Sequence, residues 1–118
     1  MLLNNKEYVL SKRKARDVLD LAKESKEYDY PKEGEPVTEE QLNHLLVLMA
    51  QVISDSLKAT YMNLPLLKKV FNWKYRKFLK GSASLLIISL SEDELTGYYL
   101  DVLDLEGNTK KKVVQAEK

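Results

Sequence analysis

The side chains with the clearest potential for chemistry lie in one basic, aromatic segment, FNWKYRKFLKG, at residues 71 to 81. Its four cations are accompanied by no acid, and they are interleaved with aromatic residues that include the only tryptophan of the chain. Cations bind phosphate or carboxylate groups, and tryptophan and arginine often dominate the energetics of protein interfaces. The segment therefore predicts a binding surface for another protein, a nucleic acid or an anionic membrane.

A helix over this region would have two different faces. Asn63 is the predicted N-cap, Pro65 suits the first turn, and Gly81 suits the position after the last turn. In helical projection the cationic face, our predicted protein interface, contains Lys69, Trp73, Arg76, Lys77 and Lys80. The opposite face, which we expect to enter the core, contains Leu67, Val70, Phe71, Tyr75 and Phe78.

The charges of the chain are segregated into blocks although the net charge is only +1. Residues 68 to 80 hold six cations and no acid, and residues 81 to 107 hold six acids and no cation. The cations could pair with these acids within one molecule, bind a protein partner, or bind nucleic acid through residues 65 to 80. The low net charge and the adjoining acids disfavour a polyanion or a membrane. Complementary blocks also suit head-to-tail association, so we expect a dimer or larger oligomer.

Catalytic signatures are missing from the sequence. There is no cysteine, and the single histidine, His44, lies within a predicted helix. No phosphate-binding loop, dinucleotide fingerprint, calcium loop, zinc-protease motif or nucleophile elbow is present. We therefore expect a protein that is not an enzyme and that uses no cofactor or metal. Asp101 and Asp104 have the spacing to share a cation, but a solvated acidic surface is the favoured interpretation.

The elements before the basic segment are predicted to be a hairpin and two helices. Residues 1 to 10 favour a β-hairpin around Asn4 and Asn5. A first helix is predicted over residues 12 to 26 with Ser11 as N-cap, and residues 27 to 37 form a linker loop. A second helix over residues 39 to 59 should begin at a capping box of Thr38 and Gln41. It should supply the largest share of the core, in which we expect Leu46 and Met49 to be buried.

The C-terminal part allows two interpretations. The run LLIIS at residues 85 to 89 fits either strand or helix. Beyond it, Ser91 and Glu94 form a second capping box that predicts a helix, whereas Gly97 favours a β-meander across residues 85 to 115. We prefer the helix because strict alternation would place Asp104 on the apolar side. The predicted fold class is mainly α, with about four helices and an N-terminal hairpin in one domain over residues 1 to 107, followed by a flexible tail at 108 to 118.

Two phrases of the sequence, NNKEYVL near the start and LSEDELTGYYLDVLDLEGN toward the end, resemble small tail assembly chaperones of long-tailed bacteriophages. The resemblance implies a non-enzymatic, mostly helical protein that binds the tape measure protein and self-associates during tail assembly. It carries over no functional residue, because that family has no catalytic signature. With no targeting segment or membrane span in view, we expect a cytoplasmic location, in the host if the protein is viral.

Overall fold

The computed structural model describes residues 1 to 26, 34 to 71, 73 to 80 and 83 to 107. Within these ranges the fold is mainly helical with a short N-terminal hairpin, which confirms the predicted fold class. The strands are β1 (Leu2–Leu3) and β2 (Lys6–Glu7). The helical elements are α1 (Ala15–Lys26), α2 (Glu39–Met62), α3 (Leu66–Phe71), a 3₁₀ segment (Trp73–Phe78), α4 (Ala83–Ser89) and α5 (Glu92–Leu105). None of the described helices combines the length and apolar character that crossing a membrane would need.

The N-terminal hairpin turns at Asn4 and Asn5, as predicted. Both residues have positive φ angles, 51° and 64°, which asparagine tolerates better than most residues. β1 and β2 pair antiparallel, and the backbone N–H of Tyr8 donates to the Met1 carbonyl at 2.7 Å. The hairpin thereby directs Leu3 and Tyr8 into the core, where both are almost completely buried.

Helix α2 is the central element of the fold. Its predicted capping box is confirmed: Gln41 N donates to Thr38 Oγ1 at 3.1 Å, and Thr38 N donates to Gln41 Oε1 at 3.0 Å. The helix continues three residues past the predicted end at 59, to Met62. The 3₁₀ segment, α4 and α5 all pack against it. Its buried residues are Ala50, Val52, Ile53, Ser54, Asp55, Ser56, Leu57, Ala59 and Thr60.

The centre of the core lies further along α2 than the sequence suggested. Leu46 and Met49 are half-buried, whereas the sequence analysis expected both to be buried. One reason is that α1 contributes no buried residue to the core. The tightest packing instead surrounds Ile53 and Leu57, which are completely buried.

Hydroxyl groups of α2 hold the chain segment that precedes α1. Ser11 N donates to Ser56 Oγ at 2.9 Å, and Ser56 Oγ donates to the Ser11 carbonyl at 2.6 Å. Thr60 Oγ1 donates to the Val9 carbonyl at 2.6 Å, so the 2.6 Å contact with Ser11 Oγ has Ser11 as the donor. The predicted N-cap at Ser11 and helix start at residue 12 were therefore wrong. Ser11 is bound to α2, and α1 begins at Ala15.

A nearly buried ion pair joins this same segment to the end of α5. Arg13 Nε and Nη2 donate to the two carboxylate oxygens of Glu106 at 2.8 and 2.7 Å, and the Arg13 backbone N–H donates at 3.1 Å. The hydrogen bonds from the guanidinium hold the pKa of Glu106 below its ordinary value. Two regions separated by more than ninety residues are thereby fixed to each other.

The predicted helix from Asn63 to Gly81 is two shorter elements. Asn63 is the C-cap of α2, with its N–H donating to the Ala59 carbonyl at 3.0 Å, so it is not the N-cap of the next helix. Gly81, the predicted end, lies outside the described residues. Tyr75 and Phe78 are buried as predicted, because an i, i+3 pair shares one face of a 3₁₀ helix.

Two other residues assigned to that core face were placed wrongly. Leu67 and Val70 are exposed. They lie on α3, whereas the buried aromatic residues belong to the 3₁₀ segment. A single continuous helix would align all four on related faces, but two separate helical pieces do not, so Leu67 and Val70 remain in solvent. The side chain of Phe71, the fifth residue assigned to this face, lies outside the described part of the structure.

The C-terminal part is helical over its described length. The LLIIS run lies in α4, and α5 begins at the predicted capping box, where Glu94 N donates to Ser91 Oγ at 3.2 Å and Ser91 N to Glu94 Oε1 at 3.0 Å. A β-meander is therefore excluded for residues 92 to 105. Gly97 is compatible with the helix because its position is exposed. The flexible tail predicted at 108 to 118, and residues 27 to 33 of the predicted linker, lie outside the described residues.

We expect Leu57→Ala to lower the free energy of unfolding by about 2–5 kcal/mol, because it removes a fully buried side chain from the centre of α2. Val47→Ala is the matched control, since Val47 is an exposed residue of the same helix and should cost less than about 1 kcal/mol. Urea denaturation followed by circular dichroism measures both. Equal losses for the two variants would contradict the placement of the core.

Candidate docking groove around Trp73

A groove with a volume of about 410 Å³ lies along α3 and the 3₁₀ segment. Three residues from one face of α3 form its floor. One residue from the last turn of α2 and two residues of the 3₁₀ segment form the rest of its lining. The i, i+3 and i+4 spacing of the α3 residues brings them to the same side. The lining residues of this docking groove are Tyr61, Leu66, Lys69, Val70, Trp73 and Arg76.

The apolar side chains of the docking groove are unusually exposed. Leu66 is 79% exposed, Val70 61% and Trp73 70%. Single apolar residues on a protein surface are common, but a contiguous cluster of large ones marks an interaction site. The groove therefore offers apolar area that a partner could cover.

The docking groove brings together three of the five residues predicted as an interface. Lys69, Trp73 and Arg76 line it. Lys77 and Lys80 are exposed but do not line it. The Nζ of Lys77 instead lies 5.3 Å from the centre of the Tyr8 ring, above the aromatic part of the core.

Sequence reasoning missed the apolar half of the groove. Tyr61 was not considered because it belongs to the end of α2, and Val70 was assigned to the core. The available signal was Pro65, which follows the C-cap of α2 and starts a new helix with its own orientation.

The charge of the docking groove is positive. Lys69 Nζ lies 5.8 Å from the centre of the Tyr61 ring, which is within cation–π range. Ion pairs among the described residues include Arg13–Glu106, Arg16–Asp20 and Lys58–Asp17. None of these three pairs involves a residue of the docking groove. One of the three alternatives from the sequence was pairing of the groove cations with the acids of α5 within one molecule. In the part of the chain that the structure describes, neither Lys69 nor Arg76 makes such a pair.

An aromatic cluster holds the 3₁₀ segment in place beneath the docking groove. The Tyr8 ring meets Tyr75 and Phe78 edge-on, with ring centres 5.4 and 6.0 Å apart. The Tyr75 hydroxyl accepts a hydrogen bond from Val9 N at 2.8 Å, and Lys74 Nζ donates to the Glu7 carbonyl. These contacts fix the backbone that carries Trp73, so the indole is presented to solvent from a well-anchored element.

A second concavity, of about 250 Å³, lies between α1 and α2 and is acidic. Its charged residues are Asp17, Asp20, Glu24, Asp55 and Lys58. The described residues contain no group of three or more ligand-type side chains that could hold a metal ion. The acidic cavity thus has the charge of a cation site without its ligand geometry.

The buried carboxyl group of this acidic cavity belongs to Asp55. Burial raises its pKa to about 6 from an ordinary 3.8, although Gln51 Nε2 donates to Oδ1 at 2.9 Å and partly opposes the shift. Repulsion from Asp17 raises the pKa further, and Lys58, 3.6 Å from Asp17, lowers it. Asp55 therefore changes charge near neutral pH.

We expect Asp55→Asn to stabilise the protein above the raised pKa. Because the folded pKa exceeds the unfolded one, the contribution of Asp55 to stability is complete below pH 3.8 and is lost as the pH rises through about 6. A neutral asparagine avoids that loss, so the variant should gain on the order of 3 kcal/mol near pH 8 and little near pH 4.

Thermal or urea unfolding at the two pH values measures this difference. Asp20→Asn is the control, because Asp20 lines the same acidic cavity but is exposed, and its replacement should change stability by less than about 0.5 kcal/mol. A destabilised Asp55→Asn variant near pH 8 would show that the charged carboxylate is favourable in the folded protein.

The docking groove and the acidic cavity differ in the chemistry that they offer. One presents exposed apolar and cationic side chains, and the other presents a buried carboxyl group. Comparison with protein-family models, curated proteins and solved structures finds no match.

Proposed function

We propose that this chain is a non-enzymatic interaction protein that binds an acidic, partly apolar segment of a protein partner in the docking groove. The observation that supports this most is the exposed cluster of Leu66, Val70 and Trp73 next to Lys69 and Arg76. Covering the apolar side chains would supply affinity, and the two cations would select an acidic partner.

A protein partner suits this groove better than a nucleic acid. Aliphatic side chains on the floor of the groove can pack against an apolar side chain, whereas they offer no hydrogen bond to a base or phosphate. The net charge of only +1 and the exposed acids of α5 also oppose a polyanion. Nucleic-acid binding remains the second candidate, because an exposed tryptophan between two cations could stack on an unpaired base.

The proposal that the protein is not an enzyme rests on the sequence, which contains no cysteine, one histidine and none of the common catalytic motifs. The likeness of its two end phrases to tail assembly chaperones suggests one biological setting. In that setting the chain would self-associate and would also bind a tape measure protein.

We expect the full chain to bind a labelled amphipathic helical peptide of leucine, aspartate and glutamate in fluorescence anisotropy. Trp73→Ala should weaken this binding by about 30-fold or more, the effect of losing an interface hot spot of about 2 kcal/mol. A peptide with lysine in place of the acids should not bind, because Lys69 and Arg76 would repel it.

Lys80→Ala is the control variant, since Lys80 is an exposed cation outside the docking groove. It should bind the acidic peptide as the unmodified protein does. A labelled single-stranded oligonucleotide forms the competing arm. Binding of the oligonucleotide at physiological salt, lost in Trp73→Ala, together with no binding of the acidic peptide, would replace the proposed function by the second candidate.

A further inference from the structure

We infer that the docking groove is occupied by the outer face of α5 from a second copy of this chain. This inference rests on the proposed function and names the partner of the same groove. It follows from the complementary composition of two exposed surfaces and from the position of α5 in the fold.

The outer face of α5 has the chemistry that the docking groove requires. An apolar residue, Leu100, is 48% exposed at its centre. Three aspartates and a glycine lie on the same side of the helix as Leu100. Counted from Asp93, the other four residues follow after four, seven, eight and eleven positions, which is helical spacing. The residues of this acidic stripe are Asp93, Gly97, Leu100, Asp101 and Asp104.

The acidic stripe can approach another surface closely. Apart from its chain neighbours and the backbone of its own helix, a Cβ atom added at Gly97 would meet no described atom within 4 Å, so this side of the helix is uncovered there. One turn further on, Leu100 projects beside Asp101. A short apolar side chain flanked by carboxylates matches an apolar groove flanked by Lys69 and Arg76, which is the helix-in-groove form of peptide recognition.

Within one molecule, α5 is anchored so that its acidic stripe does not cover the docking groove. Leu95 and Val102 on the inner face of α5 are buried, and α5 packs on α2. Glu106, immediately after α5, is tied to Arg13. Because α5 is anchored along its length, its outer face is directed to solvent, and a second molecule is needed to bring it to a docking groove.

Two docking grooves are poorly suited to each other, since the described lining residues of each include two cations and no acid. When a docking groove pairs with an acidic stripe, opposite charges face each other and the contact is attractive. Added salt should weaken this attraction. Each copy provides one groove and one stripe. The contact is therefore either made twice in a two-fold dimer or repeated head to tail.

A charge-swap experiment tests this pairing. One variant carries Lys69→Glu and Arg76→Glu, and the other carries Asp101→Lys and Asp104→Lys. Each variant alone faces like charges across the contact, so its dissociation constant for self-association should rise at least about tenfold over that of the unmodified chain. An equimolar mixture restores opposite charges in both possible contacts, and it should assemble nearly as well as the unmodified chain.

Sedimentation velocity measures the three samples, and circular dichroism confirms that each variant is folded. Asp20→Lys is the control, because it reverses an exposed acid on α1, outside both surfaces, and should leave assembly unchanged. A mixture that stays monomeric, or variants that assemble like the unmodified chain, would overturn the inference.

The unmodified chain alone separates this inference from the proposed function. If it stays monomeric at every concentration but binds the acidic peptide through Trp73, the second copy is excluded as occupant and the docking groove still serves another protein. If the peptide also fails to bind, both the inference and the proposed function are excluded.

Discussion

The fold depends on burying the second half of α2 from several directions at once. Residues 50 to 60 of this helix include hydroxyl groups as well as apolar side chains, and burying a hydroxyl costs free energy unless it is hydrogen-bonded. Ser54 Oγ has no hydrogen-bond partner among the described residues. Ser56 and Thr60 find theirs in Val9 and Ser11 of the N-terminal segment. The same requirement therefore delays the start of α1 and brings the N-terminal hairpin against the core.

The exposure of the docking groove follows from this arrangement. Tyr8 enters the core from the hairpin and forms an aromatic cluster with Tyr75 and Phe78, which anchors the 3₁₀ segment by its inner face. Trp73 lies on the same short element but is directed outward. Leu66, Leu67 and Val70 of α3 are largely exposed, so a partner can gain affinity by covering them.

Local signals in the sequence predicted the elements better than their packing. Thr38 with Gln41 and Ser91 with Glu94 specified two helix starts correctly, because a capping box depends only on residues within one turn. Ser11 has the same local preference, but its hydrogen bonds go to α2, forty-five residues away, and no local pattern reveals that. Likewise the exposure of Trp73 could be predicted from its cationic neighbours. Val70 could not, because its exposure depends on the separation of α3 from the 3₁₀ segment.

Emission from Trp73, the only tryptophan, tests most directly the claim that its exposed side chain is the centre of a docking surface. At low protein concentration the spectrum should be that of a solvated indole, and it should shift to shorter wavelength as an acidic peptide or a second copy covers the groove. Quenching by iodide should decrease in parallel. Emission from a buried indole in the dilute chain, or complete binding with no change in the Trp73 spectrum, would contradict the account.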